Sequence, residues 1–177
     1  MADRKPQKTP SSKTLAVKTL VLDISCLRSD DGAVMAELKR APSLADRLNA
    51  IRRAKIRAIV FSDKAMRETQ KVLRDSGLDG FFAEKDIVTL EKLVDDGNFS
   101  TTCRNIAQAA YFPIKTAMYF GADGQNVKSA VSAGLMGNRV ECKEIKAALG
   151  CLAPYSSGAM AAKERGKQDG KGRARHY

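Results

Sequence analysis

The sequence has no tryptophan, one histidine and few aromatic residues of any kind, 6% of 177 positions. With so few rings available, we expect a core built mainly of aliphatic side chains. No apolar run approaches the roughly 18 residues that a membrane-spanning helix needs, so the pattern predicts a soluble protein. The length suffices for one domain with its own core and additional tails.

The four cysteines form no CxxC pair, and the single histidine is the second-last residue. A zinc site of the Cys/His type therefore has little support. Cys26, Cys103 and Cys142 lie in or beside apolar segments, which predicts small core residues in a reducing compartment. Because no apolar signal-peptide region is present, we expect an intracellular protein of the cytoplasm or mitochondrial matrix, not a secreted one.

Positive charge is concentrated at the two ends of the chain. The net charge is +11, and residues 1–18 and 160–177 each contribute +4. Segments this rich in charge, Gly and Ser cannot bury a core. We therefore predict a basic flexible arm at 1–17, an α/β domain at 18–152 and a basic tail at 153–177.

The basic side chains of these ends are candidate contacts for nucleic acid. They are Arg4, Lys5, Lys8, Lys13, Lys163, Arg165, Lys167, Lys171, Arg173 and Arg175. Such segments typically bind a polyanion, although they can also serve solubility alone. We expect RNA, proteins of a larger complex, or both as partners. No membrane segment and no motif for sequence-specific DNA recognition is present, and the basic start has the composition of a mitochondrial presequence without a clear amphipathic helix.

Strand and helix patterns alternate along the middle of the chain. Strands are predicted at 19–25, 56–62, 116–121 and 138–142, a short strand running into a helical stretch at 86–94, helices at 43–55, 64–77, 101–112, 126–135 and 143–150, and a turn at 29–32. This alternation predicts a Rossmann-like three-layer α/β sandwich with a mainly parallel sheet and helices on both faces.

Two helix ends carry local signals. Ser43 is a candidate N-cap for a helix whose apolar face contains Leu44, Leu48 and Ile51. Gly77 has the position of a glycine that ends a helix.

Polar residues follow three of the predicted strands, namely Asp23, Ser62 and Asp123. The carboxyl ends of parallel strands share one edge of the sheet, which is the usual ligand site in such folds. We therefore expect these residues near one another. Asp23 is then either a nucleophile or a remnant that accepts hydrogen bonds from nearby backbone amides.

Four stretches in order resemble the haloacid dehalogenase (HAD) superfamily of phosphohydrolases. They are LVLDIS (20–25), LADRLNAIRRAKIRAIVFSD (44–63), VLRDSGLDGFFAEKDIV (72–88) and AMYFGADGQNVKSAVSAGL (117–135). The resemblance covers roughly residues 19–142 and implies a HAD-like fold. Since 39 positions separate Asp23 from Ser62 and 59 separate Ser62 from Gly121, neither gap has room for a cap domain.

The resemblance implies phosphoryl transfer through an aspartyl phosphate. In the family, a first Asp attacks phosphorus, a second Asp two residues on acts as general acid and base, and acidic residues hold Mg²⁺. Carried over, Asp23 matches the nucleophile and Ser62 the phosphate-binding hydroxyl. In an active protein, Asp23 and Asp123 would hold the Mg²⁺.

Three positions depart from the family pattern. Ser25 stands where the second Asp belongs, and a hydroxyl cannot act as a general acid near neutral pH. The phosphate-binding lysine expected near 97–98 is absent. Ala122 and Asn126 fall on the two acidic positions, with Asp123 displaced by one.

Two functions follow from these observations. The first is a non-catalytic HAD-like domain, without a cofactor, that acts as a structural or binding subunit of a larger assembly such as a ribonucleoprotein, anchored by its basic ends. The alternative is a capless Mg²⁺-dependent phosphatase with Asp23 as nucleophile. The three departures favour the first function, whereas the presence of Asp23 and Ser62 supports the second.

Overall fold

The apolar stretches form a parallel sheet in the computed structural model, which describes residues 16–93 and 98–156. The strands are β1 (Thr19–Asp23), β2 (Arg57–Ser62), β3 (Ile87–Thr89), β4 (Ala117–Gly121) and β5 (Met136–Arg139). Their order is β3-β2-β1-β4-β5, and every pairing is parallel. The predicted α/β class is confirmed, with a sheet that is wholly parallel.

Helices cover both faces of this sheet. They are α1 (Gly32–Lys39), α2 (Leu44–Arg53), α3 (Met66–Asp75), α4 (Phe99–Ala110), α5 (Gly124–Ala133) and α6 (Ile145–Ser156). Because side chains alternate along a strand, Leu20 and Leu22 face a core with α1, α2, α3 and α6. Val21 faces a second core with α4 and α5. The described residues contain these three layers and no cap domain.

The local signals at two helix ends are confirmed. Ser43 and Asp46 form a capping box at the start of α2, and the three predicted apolar residues of this helix are fully buried. At the end of α3, Gly77 has a φ of +86°, and the Leu78 amide donates to the Leu73 carbonyl at 2.7 Å. This is a Schellman-type helix end, in which a left-handed glycine allows the chain to leave the helix.

Two predictions about elements are wrong. The last strand is Met136–Arg139 and not 138–142, because Val140 and Cys142 are buried beyond the end of the strand. A helix, α1, follows the turn predicted at 29–32, with the Asp31 side chain accepting from the Ala33 amide. The helix was missed because its apolar periodicity is weak, with Leu38 as its single buried residue, although an Asp N-cap and residues of high helix propensity indicated it.

The ends of the described chain bear on the predicted tails. Helix α6 continues to Ser156, and the ten basic candidates for nucleic-acid contacts lie outside the described residues. Cys26, Cys103 and Cys142 are buried free thiols, as predicted, whereas Cys151 is exposed. None of the helices in residues 16–93 and 98–156 is long and apolar enough to cross a membrane.

Candidate functional site

An open cleft of about 360 Å³ lies at the carboxyl ends of the central strands. Its lining includes three carboxylates, Asp23, Asp63 and Asp123, and one cation, Arg28. Aromatic walls come from Phe61 at the end of β2 and Phe99 at the start of α4. The topology thus brings Asp23 and Asp123 to one cleft, at the edge where ligands bind in parallel α/β folds.

Asp23 is buried, with 7% of its surface exposed. The Tyr119 hydroxyl donates to its Oδ2, and the Ser25 amide donates to its Oδ1 at 2.9 Å. Both carboxylate oxygens therefore have donors from the protein itself. Burial raises the pKa of Asp23 above its ordinary value, although the hydrogen bonds from Tyr119 and Ser25 act in the opposite direction.

Tyr119 reaches Asp23 because of the sheet register and a nearby glycine. Its pairing with Val21 places it on the face of the sheet that also carries Asp23. A Cβ at Gly121 would lie 2.6 Å from the Tyr119 ring, so the phenol occupies space that a larger residue would take. Burial, followed by the charge of Asp23, raises the pKa of Tyr119, which keeps the hydroxyl protonated as a donor.

Aromatic rings enclose this pair. The Tyr119 ring packs edge-on against Phe99 at a centroid distance of 5.8 Å, and Phe99 packs against Phe61 at 5.9 Å. Asn98, just before Phe99, caps α4 through the amides of Ser100 and Thr101. The start of α4 is thus occupied by an amide and an aromatic ring, in the region where the resemblance led us to expect a phosphate-binding lysine.

Ser25 has a structural contact at the position where the family has its general acid. Its Oγ accepts a hydrogen bond from the Ala122 amide at 3.1 Å. This bond joins the loop after β1 to the loop after β4. The residue supplies no ionisable group to the cleft, and neither does the methyl group of Ala122.

Ser62 lies in the interior and is fully buried. Its hydroxyl accepts from the Thr69 hydroxyl at 2.6 Å and from the Lys64 amide at 3.0 Å. Since Phe61 lines the cleft, the next residue along the strand faces the opposite side of the sheet. The contacts of this hydroxyl join β2 to the first turn of α3.

Asp123 lines the cleft as the exposed N-cap of α5. Its Oδ1 accepts from the amides of Gln125 and Asn126, at 2.8 and 3.4 Å. This arrangement is a helix cap, and it commits one carboxylate oxygen to the backbone.

The residues present do not fit a Mg²⁺ ion, which requires several oxygen ligands in near-octahedral geometry. Asp23 already accepts hydrogen bonds at both oxygens, and Ala122 offers no side-chain oxygen. In the part of the chain that the structure describes, no three His, Cys, Asp or Glu residues are grouped to hold a metal. Asp63 adds a carboxylate to the cleft without completing such a group.

Three residues of this site were missed in the sequence, namely Tyr119, Phe99 and Arg28. Tyr119 carried a usable signal, because it lies two positions before Gly121 on a predicted strand and so shares its face. Arg28 follows Asp23 by five positions and lines the cleft through the short turn after β1. Nothing in the sequence around Phe99 distinguishes an aromatic residue that lines a cleft from one that packs in the core.

Comparisons with known proteins bear on the fold. No protein-family model and no curated protein matches the sequence. An uncharacterized protein from Corynebacterium glutamicum has a similar structure, with a TM-score of 0.55 and 15% identity over 77% of this chain and 95% of its own. A protein from Thermotoga maritima, provisionally assigned as a beta-phosphoglucomutase, has a TM-score of 0.51 and 12% identity over 76% of this chain and 99% of its own.

A HAD-superfamily hydrolase of subfamily IA from Geobacter sulfurreducens is also similar, with a TM-score of 0.44 and 15% identity over 78% of this chain and 99% of its own. At these identities the likeness concerns the fold. The chain shares its fold with the Corynebacterium glutamicum and Thermotoga maritima proteins, and this parallel α/β fold agrees with the HAD-like fold that the sequence resemblance implied. Its function has to be argued from the site, because one fold carries many activities.

Proposed function

We propose that the chain is a non-catalytic HAD-like domain that acts as a structural or binding subunit of a larger assembly, a ribonucleoprotein. One observation is the main support for a non-catalytic role. Asp23 is buried, and its two carboxylate oxygens accept hydrogen bonds from Tyr119 and Ser25. An aspartyl nucleophile needs an ionised oxygen that can approach phosphorus. Here Tyr119 occupies one oxygen, and burial favours the neutral carboxyl.

The surroundings of Asp23 support the same conclusion. Ser25 accepts from the Ala122 amide, so nothing at that position can protonate a leaving group. The cleft contains three carboxylates and a single arginine, a balance that opposes binding of a dianionic phosphate without a metal. Since the residues do not fit Mg²⁺, no metal ion would offset the repulsion between the carboxylates and a bound phosphate.

The alternative, a capless Mg²⁺-dependent phosphatase, is favoured by one observation. Asp23, Asp63, Asp123 and Arg28 share one open cleft at the carboxyl edge of a HAD-like sheet. The two functions differ in what Asp23 does, and this difference can be measured directly.

The test is hydrolysis of p-nitrophenyl phosphate with Mg²⁺ and with chelator. We expect equal background rates for the unaltered protein and for Asp23→Asn. Asp75→Asn, an exposed residue paired with Lys71 on α3, is the matched control. Mg²⁺-dependent hydrolysis that is lost in Asp23→Asn and retained in Asp75→Asn would overturn the non-catalytic proposal and establish the alternative.

The basic ends support the RNA part of the proposal. Together they carry +8 of the net charge of +11, far more than their share of the chain. Lys and Arg side chains bind phosphate backbones by releasing counterions. An RNA partner fits the cytoplasm or the mitochondrial matrix, both reducing compartments in which the buried thiols of this chain stay reduced.

Sedimentation from a native, low-salt extract tests this part. We expect migration as a large particle that nuclease treatment reduces in size. A full-length variant with the ten basic residues of the ends changed to Gln should migrate as a smaller species. Migration of the unaltered protein near its own mass of 19.2 kDa, with or without nuclease, would contradict the assembly role.

A further inference from the structure

Tyr111 is held in solvent by a strained backbone. Its exposure is 88%, and Val131 at 51% is the other large apolar residue that the described chain exposes. The residue follows α4 with a φ of 57° and a ψ of 65°, a left-handed conformation that usually belongs to Gly or Asn. A glycine would relieve this strain, so packing gives no reason for a large ring here.

Lys55 has the same unusual conformation at the end of α2, with a φ of 67°. Lys55 and Tyr111 are the two non-glycine residues with positive φ in the described chain, and both side chains are exposed. Each follows a helix that returns the chain to the start of a parallel strand. Both therefore lie at the edge of the sheet where the strands begin, opposite the Asp23 cleft. Strain of this kind often marks functional residues.

Backbone contacts join the residues of this edge. The Lys18 amide donates to the Thr116 carbonyl at 2.8 Å, and the Arg57 amide donates to the Lys18 carbonyl at 3.0 Å. The Arg57 guanidinium donates to the carbonyls of Ala110 and Tyr111, at 2.5 and 3.4 Å. We call the exposed residues Lys18, Lys55, Tyr111 and Lys115 the amino edge.

The charge of the amino edge is positive. Its three lysines are exposed, and Lys115 directly precedes Thr116, which binds Lys18. Asp86, which precedes β3 at the same side of the sheet, is paired with Arg57 at 2.8 Å. Asp86 is thus neutralised by Arg57, while the three lysines face solvent at this edge.

Both ends of the described chain lie at this edge. The first described residue, Ala16, is two positions before Lys18. At the other end, α6 runs alongside α2 in the same direction, because Lys146 donates to the Pro42 carbonyl and Gly150 lies against Arg47. Helix α6 therefore ends beside the end of α2. The basic segments at 1–15 and 157–177 are both attached at the amino edge.

We propose that the amino edge binds single-stranded RNA, with Tyr111 stacking on a base and the three lysines contacting phosphates. This inference rests on the proposed RNA function and adds the surface that performs it. An exposed ring on a surface that also carries basic side chains is an arrangement that binds single strands without sequence preference. The described chain begins and ends at this side of the molecule, where the sequence continues into its basic segments.

Tyr111→Gly is the sharpest test because glycine suits the left-handed backbone. We expect the variant to keep or raise the thermal midpoint while its affinity for oligouridylate falls about tenfold, the loss of one stacked base. Tyr111→Phe preserves the ring and should bind like the unaltered protein. Val131→Ala, which removes exposed apolar surface on α5, is the control.

The lysines are tested by the salt dependence of the same affinity. Each phosphate contact contributes about 0.7 to the slope of log affinity against log salt for a single strand. Lys55→Gln with Lys115→Gln should therefore reduce the slope by about 1.4. Lys128→Gln, an exposed residue of α5, should leave it unchanged.

The possible outcomes separate this inference from the proposed function. If the unaltered protein binds oligouridylate and the variants of the basic ends weaken it, but Tyr111→Gly does not, the RNA function stands and the amino edge is overturned. If Tyr111→Gly keeps its RNA affinity yet fails to co-sediment with the assembly, the edge binds protein and the inference is wrong. No binding by the unaltered protein removes both.

Discussion

At the scale of single residues, Asp23 lies where the resemblance places a nucleophile, and its carboxylate oxygens accept hydrogen bonds from Tyr119 and Ser25. The pattern predicted a buried strand at 19–25, and the strand is buried but ends at Asp23, where a short helical turn begins. It could not predict Tyr119 as a partner, because the two residues are 96 positions apart and meet only through strand pairing. The contact between Ser62 and Thr69 spans seven positions only, but it depends on how the first turn of α3 packs against the end of β2.

The buried carboxyl predicts a pH dependence of stability. Because burial raises the pKa of Asp23 in the folded protein, the folded state binds more protons than the unfolded state between the two pKa values. The free energy of unfolding therefore falls as pH rises through this interval and stays lower above it. The interval begins at the ordinary pKa of an Asp side chain, about 4. In Asp23→Asn this decrease is absent.

Urea unfolding at a series of pH values measures this effect. The unaltered protein should lose stability relative to Asp23→Asn as the pH rises toward neutrality. Asp123→Asn makes the same chemical change at an exposed cap, where Asn serves nearly as well as Asp. Parallel stability profiles for the unaltered protein and Asp23→Asn would show that the carboxyl is not shifted in this way.

At the scale of elements, a helix was predicted correctly where its capping residue and its buried apolar face both indicate the same boundaries. In α2, Ser43 begins a helix whose apolar face is fully buried, so its periodicity in the sequence matches its contacts. Helix α1 buries Leu38 alone, and β5 is an edge strand with no buried residue. The hydrophobic periodicity of both sequences is therefore weak. The buried residues beyond β5 shifted the predicted strand toward the C-terminus.

The packing of α6 against the α1–α2 connection depends on one lysine. The Lys146 ammonium donates to the carbonyls of Glu37, Arg40 and Pro42, at 2.6, 3.1 and 3.0 Å. Lys146→Met keeps most of the aliphatic chain but removes these donors. We expect the free energy of unfolding to fall by about 1–3 kcal/mol, as for hydrogen bonds to a charged group.

Urea unfolding of the variant checks this value. Lys71→Met removes an exposed ion pair with Asp75 on α3 and is the matched control. Its loss should be below about 0.5 kcal/mol. Equal losses in the two variants would mean that the contacts of Lys146 add little beyond a surface charge.

At the scale of the whole molecule, the alternation of strands and helices was enough to predict a three-layer parallel α/β fold. The strand order was not predicted, because it requires knowledge of which strands pair. The edge location of Asp23 and Asp123 followed from the fold. The amino edge was not visible, because Tyr111 and Lys55 reach the same edge of the sheet only after two different helices have returned the chain to it.

A shortened chain of residues 16–156 should remain folded without its basic ends. The excluded segments are too polar to bury a core, whereas Val17 and Leu152 belong to one core near the two ends of the described chain. We expect an unchanged thermal midpoint by circular dichroism and a large loss of RNA affinity. A chain of 16–148, which also lacks Leu149 and Leu152, should melt at a lower temperature. A lowered midpoint for 16–156 would show that the ends stabilise the fold.

On the proposed non-catalytic function, the hydrogen bond between Tyr119 and Asp23 opposes a gain of catalysis by single substitutions. Ser25→Asp would place a second carboxylate beside a buried one, and it would replace the hydroxyl that accepts from the Ala122 amide with a charged group. Ala122→Asp would add another negative charge before any metal could compensate it. Each single reversal therefore lowers stability without restoring activity. A phosphatase site in this cleft would therefore require several replacements made together, at least at Ser25, Ala122 and Tyr119.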